Sequence, residues 1–158
     1  MSDETLNVKI VRLDPMRVAC VNGYGEGPEN IAFEKMRKYI REKGLDRDGK
    51  KHRVFGFNNP DPAPGSPNYG YDVWITVDES FKSEGEVKVF DFPGGLYAVA
   101  SVSPMTGEEI FPAWQQLVAW RERSPYRPAH HQWMEEHIRD INLTFPDITL
   151  DLFLPIAE

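Results

Sequence analysis

Two kinds of hydrophobic spacing organise the 158-residue chain. Runs at 7–13, 17–22, 53–58 and 70–78 concentrate or alternate aliphatic and aromatic residues, and runs of the same kind return at 86–92, 96–102, 132–138 and 149–156. Bounded by turn residues, such runs predict β-strands. Between the second and third run of each set the spacing changes to three- and four-residue steps, through Ile31, Met36, Tyr39 and Ile40 and then through Ile110, Trp114, Leu117 and Val118. A helix with one buried stripe requires this spacing. Asp14-Pro15 and Pro93-Gly94-Gly95 mark turns after the first strand of each set, because proline fixes φ and glycine reaches conformations that other residues avoid. Residues 58–67 hold four prolines and can be neither helix interior nor central strand. They read as a long hairpin connection, matched by 139–148, and the charged stretch 78–86 reads as a surface join.

The two sets fall on one another without a gap when the chain is displaced by 79 residues. Val8-Lys9-Ile10 meets Val87-Lys88-Val89, and Tyr71-Asp72-Val73-Trp74 meets Leu150-Asp151-Leu152-Phe153. The ten identities are weak by themselves, but strand and helix blocks keep register over the whole length. The expectation is an α+β fold of duplicated strand-strand-helix-strand-strand modules, about 1–79 and 80–158, forming one domain. Pseudo-two-fold symmetry, antiparallel sheets and a ligand cleft between the modules complete it.

Composition narrows the function. A hydrophobic content of 41% supports a packed interior, and the length suits one domain. A net charge of −7 argues against a nucleic-acid partner, since phosphate binding needs a basic face. Cys20 is the single cysteine, so no internal disulfide or zinc ribbon is available. No apolar run reaches the roughly 18 residues of a membrane span, and the polar, acidic start is no signal peptide. A soluble, cytoplasmic protein without a membrane partner is expected, as a monomer or weak dimer, with no cofactor.

Strand alternation nominates a site. Tyr71, Val73, Ile75 and Val77 point one way, as do Leu150, Leu152, Leu154 and Ile156, and these rows are expected to pack on the helices. Trp133, Glu135 and His137 share a parity, and Met134 aligns with Phe55, a core position. Trp133, Glu135 and His137 are therefore expected beside Trp74 and Phe153 on the face turned away from the helices. Gly56, aligned with Glu135, is expected to leave room beside that carboxylate. Glu136 is expected on the helix side or the sheet margin, and Asp72 and Asp151, recurring in both halves, are read as structural. Tyr24, in the glycine-rich entrance to the first helix, is positioned to cap the cleft. A metal site is not expected, because His131 and His137 would lie roughly 20 Å apart along an extended strand. Cys20, within an apolar run, reads as a small inert hydrophobe.

Five motifs in order then carry a resemblance over essentially the whole chain: Tyr71-Asp72-Val73, Phe92-Pro93-Gly94-Gly95-Leu96-Tyr97-Ala98-Val99, Trp120, Met134-Glu135-Glu136-His137-Ile138-Arg139-Asp140 and Leu154-Pro155-Ile156. The chain resembles the GyrI-like small-molecule-binding domain, which is also the effector-binding half of AraC-type and MerR-type multidrug-responsive regulators. The resemblance implies an aromatic cavity in which one glutamate pairs with lipophilic cations. By position that glutamate is Glu135, with Met134 in place of the preceding aromatic and His137 in place of a tyrosine. Tyr71 and Trp120 join the implied ligand-binding set through their motifs. No helix-turn-helix precedes the first strand, so direct control of transcription is not expected. The implied function is a stand-alone binding protein for lipophilic, aromatic, cationic small molecules. Two alternatives stand beside it: a hydrolase opening strained cyclopropane rings of DNA-alkylating natural products with Glu135 as its base, and a gyrase-inhibitor-type protein partner.

Overall fold

The computed structural model describes residues 6–158. Its strands are β1 (Val8–Leu13), β2 (Met16–Glu26), β3 (Val54–Asn58), β4 (Asn68–Thr76), β5 (Lys88–Phe92), β6 (Gly95–Val102), β7 (Arg127–Pro128), β8 (Met134–His137) and β9 (Leu150–Ala157). The helices are α1 (Pro28–Lys43) and α2 (Ile110–Arg123), the latter entered through a 3-10 turn at Gly107–Glu109. This is the expected α+β class. The two-residue β7 was not anticipated, and β2 runs four residues beyond the expected end at 22.

The chain divides into two compact units, Met16–Phe92 and the segment up to Pro15 together with Pro93–Glu158. In the 16–92 unit the strand order is β3-β4-β2-β5, every pair antiparallel. In the 93–158 unit it is β1-β6-β9-β8, again antiparallel, with β7 also pairing with β9. The connection Asp14-Pro15 thus closes no hairpin. It carries the chain from one unit into the other, and β1 finds its partner in β6 while β5 pairs with β2. Most strands and both helices nevertheless recur at the 79-residue spacing, to within a few residues at their ends.

In the 16–92 unit α1 covers the face of Ala19, Val21, Gly23, Tyr71, Val73 and Ile75. Pro28 sits in its first turn, where no intrahelical N–H bond is lost. Gly44 ends it in the left-handed region, at φ 68°, which favours glycine. The buried stripe is Pro28, Ala32, Met36 and Tyr39, whereas Ile31, expected within it, is 42% exposed. In the 93–158 unit Leu117 of α2 joins Ala98, Ala100, Leu150, Leu152, Leu154 and Ile156 in one buried cluster. The expected leucine row therefore does pack on the helix.

The recurring aspartates have matching structural partners. Asn22 donates to Asp72 at 2.6 Å, and Ser101, the residue 79 positions on from Asn22, donates to Asp151. Gly56 leaves no room for a ligand. A Cβ built there lies 2.2 Å from the Tyr71 hydroxyl oxygen, so the phenol beneath α1 already fills that space. Gly56→Ala should cost about 1–3 kcal/mol by overpacking. In a Tyr71→Leu background the same change should cost less than about 1 kcal/mol, a coupling readable by urea denaturation of the four proteins of the cycle.

Candidate functional site

The four residues of β8 alternate between the two faces of the sheet in the 93–158 unit, and their register on β9 decides which goes where. Glu135 lies opposite Leu152 and His137 opposite Leu150, while Met134 lies opposite Phe153 and Glu136 opposite Asp151. Directly opposed residues share a face. Glu135 and His137 are therefore on the leucine face, beneath α2, contrary to expectation.

The contacts agree. Trp114 of α2 donates its indole N–H to Glu135 Oε2 at 3.0 Å. Its ring lies 5.5 Å from that of Trp133, with the Arg121 guanidinium over Trp133 at 5.7 Å. Burial pushes the His137 imidazole down to about 4, since a charged ring would be poorly solvated there. Met134, expected in the core on the helix side, is buried. The structure places Met134 in the core on the other face, and the acids exchange sides with it.

The face opposite α2 carries Tyr97, Val99 and Ser101 from β6, Asp151, Phe153 and Pro155 from β9, and Met134 and Glu136 from β8. Tyr97 and Phe153 meet edge to face at 5.2 Å. Tyr97 donates to the Gln132 carbonyl at 2.5 Å, and burial raises its pKa, so the phenol stays a donor. Glu136 is only 6% exposed. Glu136, expected on the helix side or the sheet margin, thus shares a face with Phe153. Tyr97 was missed as a site residue, although its place in the Leu96-Tyr97-Ala98 motif was a usable signal.

The remaining nominees are dispersed. Trp74 lies on the face of the 16–92 unit opposite α1, with Phe57, Phe90 and Phe92 around it at 5.0, 5.4 and 5.1 Å. Asp72, on the same face, accepts from Asn22 and from Asn59, the latter at 2.9 Å. Burial, aided by Asp72, pushes the Cys20 thiol up to about 12, so it is protonated at neutral pH. Tyr24 is 59% exposed at the end of this face. Tyr71 is beneath α1 against Phe33, and Trp120 packs into the α2-side core with Tyr126 stacked on it. Trp133, 40% exposed, belongs with Trp114 and Glu135 rather than with Trp74 or Phe153. Among the described residues no cluster of histidine, cysteine, aspartate and glutamate is arranged to hold a metal ion, and no helix is long and apolar enough to cross a membrane.

Helix-backed antiparallel ladders of this kind belong to the GyrI-like effector-binding fold. The C-terminal domain of EcmrR shares it at a TM-score of 0.74 and 13% identity, over 98% of this chain and 99% of that one. The structure of SAV2435 bound to tetraphenylphosphonium shares it at 0.58 and 10%, over 96% and 94%. A hydrolase from Listeria innocua shares it at 0.66 and 13%, over 96% and 92%. The chain spans 58% of the EcmrR chain in its complex with DNA. It belongs to the Cass2 family of integron-associated effector binding proteins, whose profile matches residues 9–156. No curated protein sequence matches it significantly.

The depressed His137 has a consequence for stability. The unfolded chain, with an imidazole near 6.5, binds more protons than the native state between that value and about 4. The neutral ring therefore contributes stability that is fully present above pH 6.5 and is lost as pH falls toward about 4, on the order of 3 kcal/mol in all. His137→Leu should flatten the decline between pH 6.5 and 5, and an NMR titration of the imidazole should show no protonation above pH 5.

Proposed function

We propose that this protein binds lipophilic aromatic cations and that Glu136, rather than Glu135, is the carboxylate that pairs with them. The observation that carries this reading is a glutamate only 6% exposed on the sheet face that also holds Tyr97, Phe153 and Met134. Aromatic faces attract a desolvated cation through their quadrupoles, and a carboxylate in the same setting supplies the compensating charge. Methionine adds a pliable, polarizable surface that adjusts to ligands of different shape. Membership of an effector-binding family and a structural neighbour holding tetraphenylphosphonium favour the same ligand class. Glu135 already accepts the Trp114 indole N–H beneath α2, which suits it to hold β8 against the helix. We also take the two units to be the products of one internal duplication, supported by the 79-residue spacing of elements and of the Asn22–Asp72 and Ser101–Asp151 pairs.

A second reading is a hydrolase that opens strained cyclopropane rings, with Glu136 orienting water as general base. The Listeria innocua neighbour, a hydrolase, favours it. Mass spectrometry of a cyclopropane-bearing alkylating agent incubated with the protein would show a hydrated product that Glu136→Gln abolishes. An unchanged substrate leaves binding as the function.

The binding reading is tested by titrating tetraphenylphosphonium and neutral triphenylphosphine oxide against three proteins. Truncating one member of a desolvated charge pair costs about 2–5 kcal/mol, so Glu136→Gln should weaken the cation by about 30-fold or more. The neutral compound should change by less than about threefold, and Glu135→Gln should leave both affinities within about threefold. A larger loss at Glu135 than at Glu136, or equal losses for both ligands, would overturn the assignment.

A further inference from the structure

β5 and β1 each pair with a strand on one side only, and their outer sides are finished differently. β5, outermost in the 16–92 unit, pairs with β2. Its outer side is taken by the connection that precedes it: the Ser83 hydroxyl accepts the Val89 amide at 2.8 Å, and Glu84 and Val87 exchange two backbone bonds at 2.9 Å. β1, outermost in the 93–158 unit, pairs with β6 through six consecutive residues, from Val8 opposite Ala100 to Leu13 opposite Gly95. No strand among the described residues pairs with its outer side. β1 holds neither a proline nor a bulge, two devices that commonly protect an edge. Such an edge presents a row of backbone N–H and C=O groups to another strand.

The side chains of β1 indicate which strand fits there. Val8 and Ile10 lie opposite Ala100 and Ala98, on the face that α2 covers, and Leu6 and Val8 pack against the buried cluster beneath that helix. The apolar row is incompletely covered at this edge, where Ile10 is 41% exposed. Arg12 shares the parity of Val8 and Ile10, while Lys9 has the other. Both cations are exposed and make no ion pair among the described residues. Every second residue of the sequence from position 4 reads Glu4, Leu6, Val8, Ile10, Arg12. An acid stands at one end, a base at the other and three aliphatic residues between them, so the row is complementary to itself when reversed.

We propose that β1 pairs antiparallel with β1 of a second copy of this chain, about a two-fold axis through Val8. An axis perpendicular to the sheet keeps the α2 sides of both copies on one face, so only residues of like parity are opposed. In this register Val8 meets Val8, and Leu6 meets Ile10 of the second copy. Arg12 meets Glu4 of the second copy, a residue that lies outside the described ones and enters through the sequence alone. An axis through Lys9 would set two ammonium groups directly opposite one another, and an axis through Ile10 would leave Arg12 against Val8. Opposed like charges destabilise a ladder and opposite charges stabilise it, so the charges select the register through Val8. The apolar row of each copy is then continued by that of the other. This contact is independent of ligand binding at Glu136, and neither proposal rests on the other.

The test is sedimentation velocity of the full chain from about 5 to about 500 μM at about 0.15 M salt, which should show a monomer–dimer equilibrium with a Kd below about 100 μM. Arg12→Glu opposes like charges at two symmetry-related places and should weaken the dimer by about tenfold or more. Glu4→Arg should do the same. The double variant Glu4→Arg/Arg12→Glu restores opposite charges in this register and should return the Kd to within about threefold of the starting protein. Hydrogen exchange should show protection of the β1 amides that grows with protein concentration, and none that does so in β5. A monomer at every concentration, a dimer indifferent to Arg12→Glu, or a double variant no tighter than either single variant would each overturn the proposal.

Discussion

In β8 two glutamates stand side by side, and antiparallel pairing with β9 must send them to opposite faces because side chains alternate along a strand. The register is fixed by what β9 buries. Leu150, Leu152, Leu154 and Ile156 form one hydrophobic cluster with Leu117 of α2, and each such side chain contributes roughly 1.5–3 kcal/mol when removed from water. A slip of one residue would exchange the two acids and separate Met134 from Phe153, its partner across the ladder. The hydrophobic row thus holds Glu135 against Trp114 and leaves Glu136, opposite Asp151, on the face that also carries Tyr97, Phe153 and Met134. The chemistry of the candidate site is a consequence of packing on the far side of the sheet.

The two units apply one plan to different chemistry. Each has a four-strand antiparallel ladder, one helix, and an edge strand drawn from the other half of the sequence. At the 79-residue spacing Phe57 stands where Glu136 stands, and Trp74 where Phe153 stands. The 16–92 unit therefore carries an aromatic cluster around Trp74, with Asp72 held by two amide side chains. The 93–158 unit carries the glutamate. Its helix side has a layered cluster of its own, Arg121 over Trp133 beside Trp114, which anchors Glu135. An aromatic-and-acid pattern in the sequence can therefore describe two different places, one on each face of the sheet.

Much of the fold was legible in the sequence because it depends on local spacing. The helix stripe through Met36, Tyr39, Leu117 and Val118, the leucine row of β9 and the strand order along the chain all follow from periodicity, which needs no knowledge of distant partners. The effector-binding family was legible too, since its motifs keep their order. The parity of Trp133, Glu135 and His137 was also correct as a statement that the three share a face. Which face they share is a tertiary fact. Periodicity shows that two sets of side chains point oppositely, but only pairing of Glu135 with Leu152 shows which set lies under α2. In the same way the turn at Asp14-Pro15 was readable, whereas the pairing of β1 with β6, 82 to 92 residues away, was not. The sequence determined which residues alternate and which spacing makes a helix. The tertiary structure alone decided partners, and through them which of two adjacent acids lies beneath α2 and which on the opposite face, because long-range strand pairing assigns faces that a local pattern leaves symmetric.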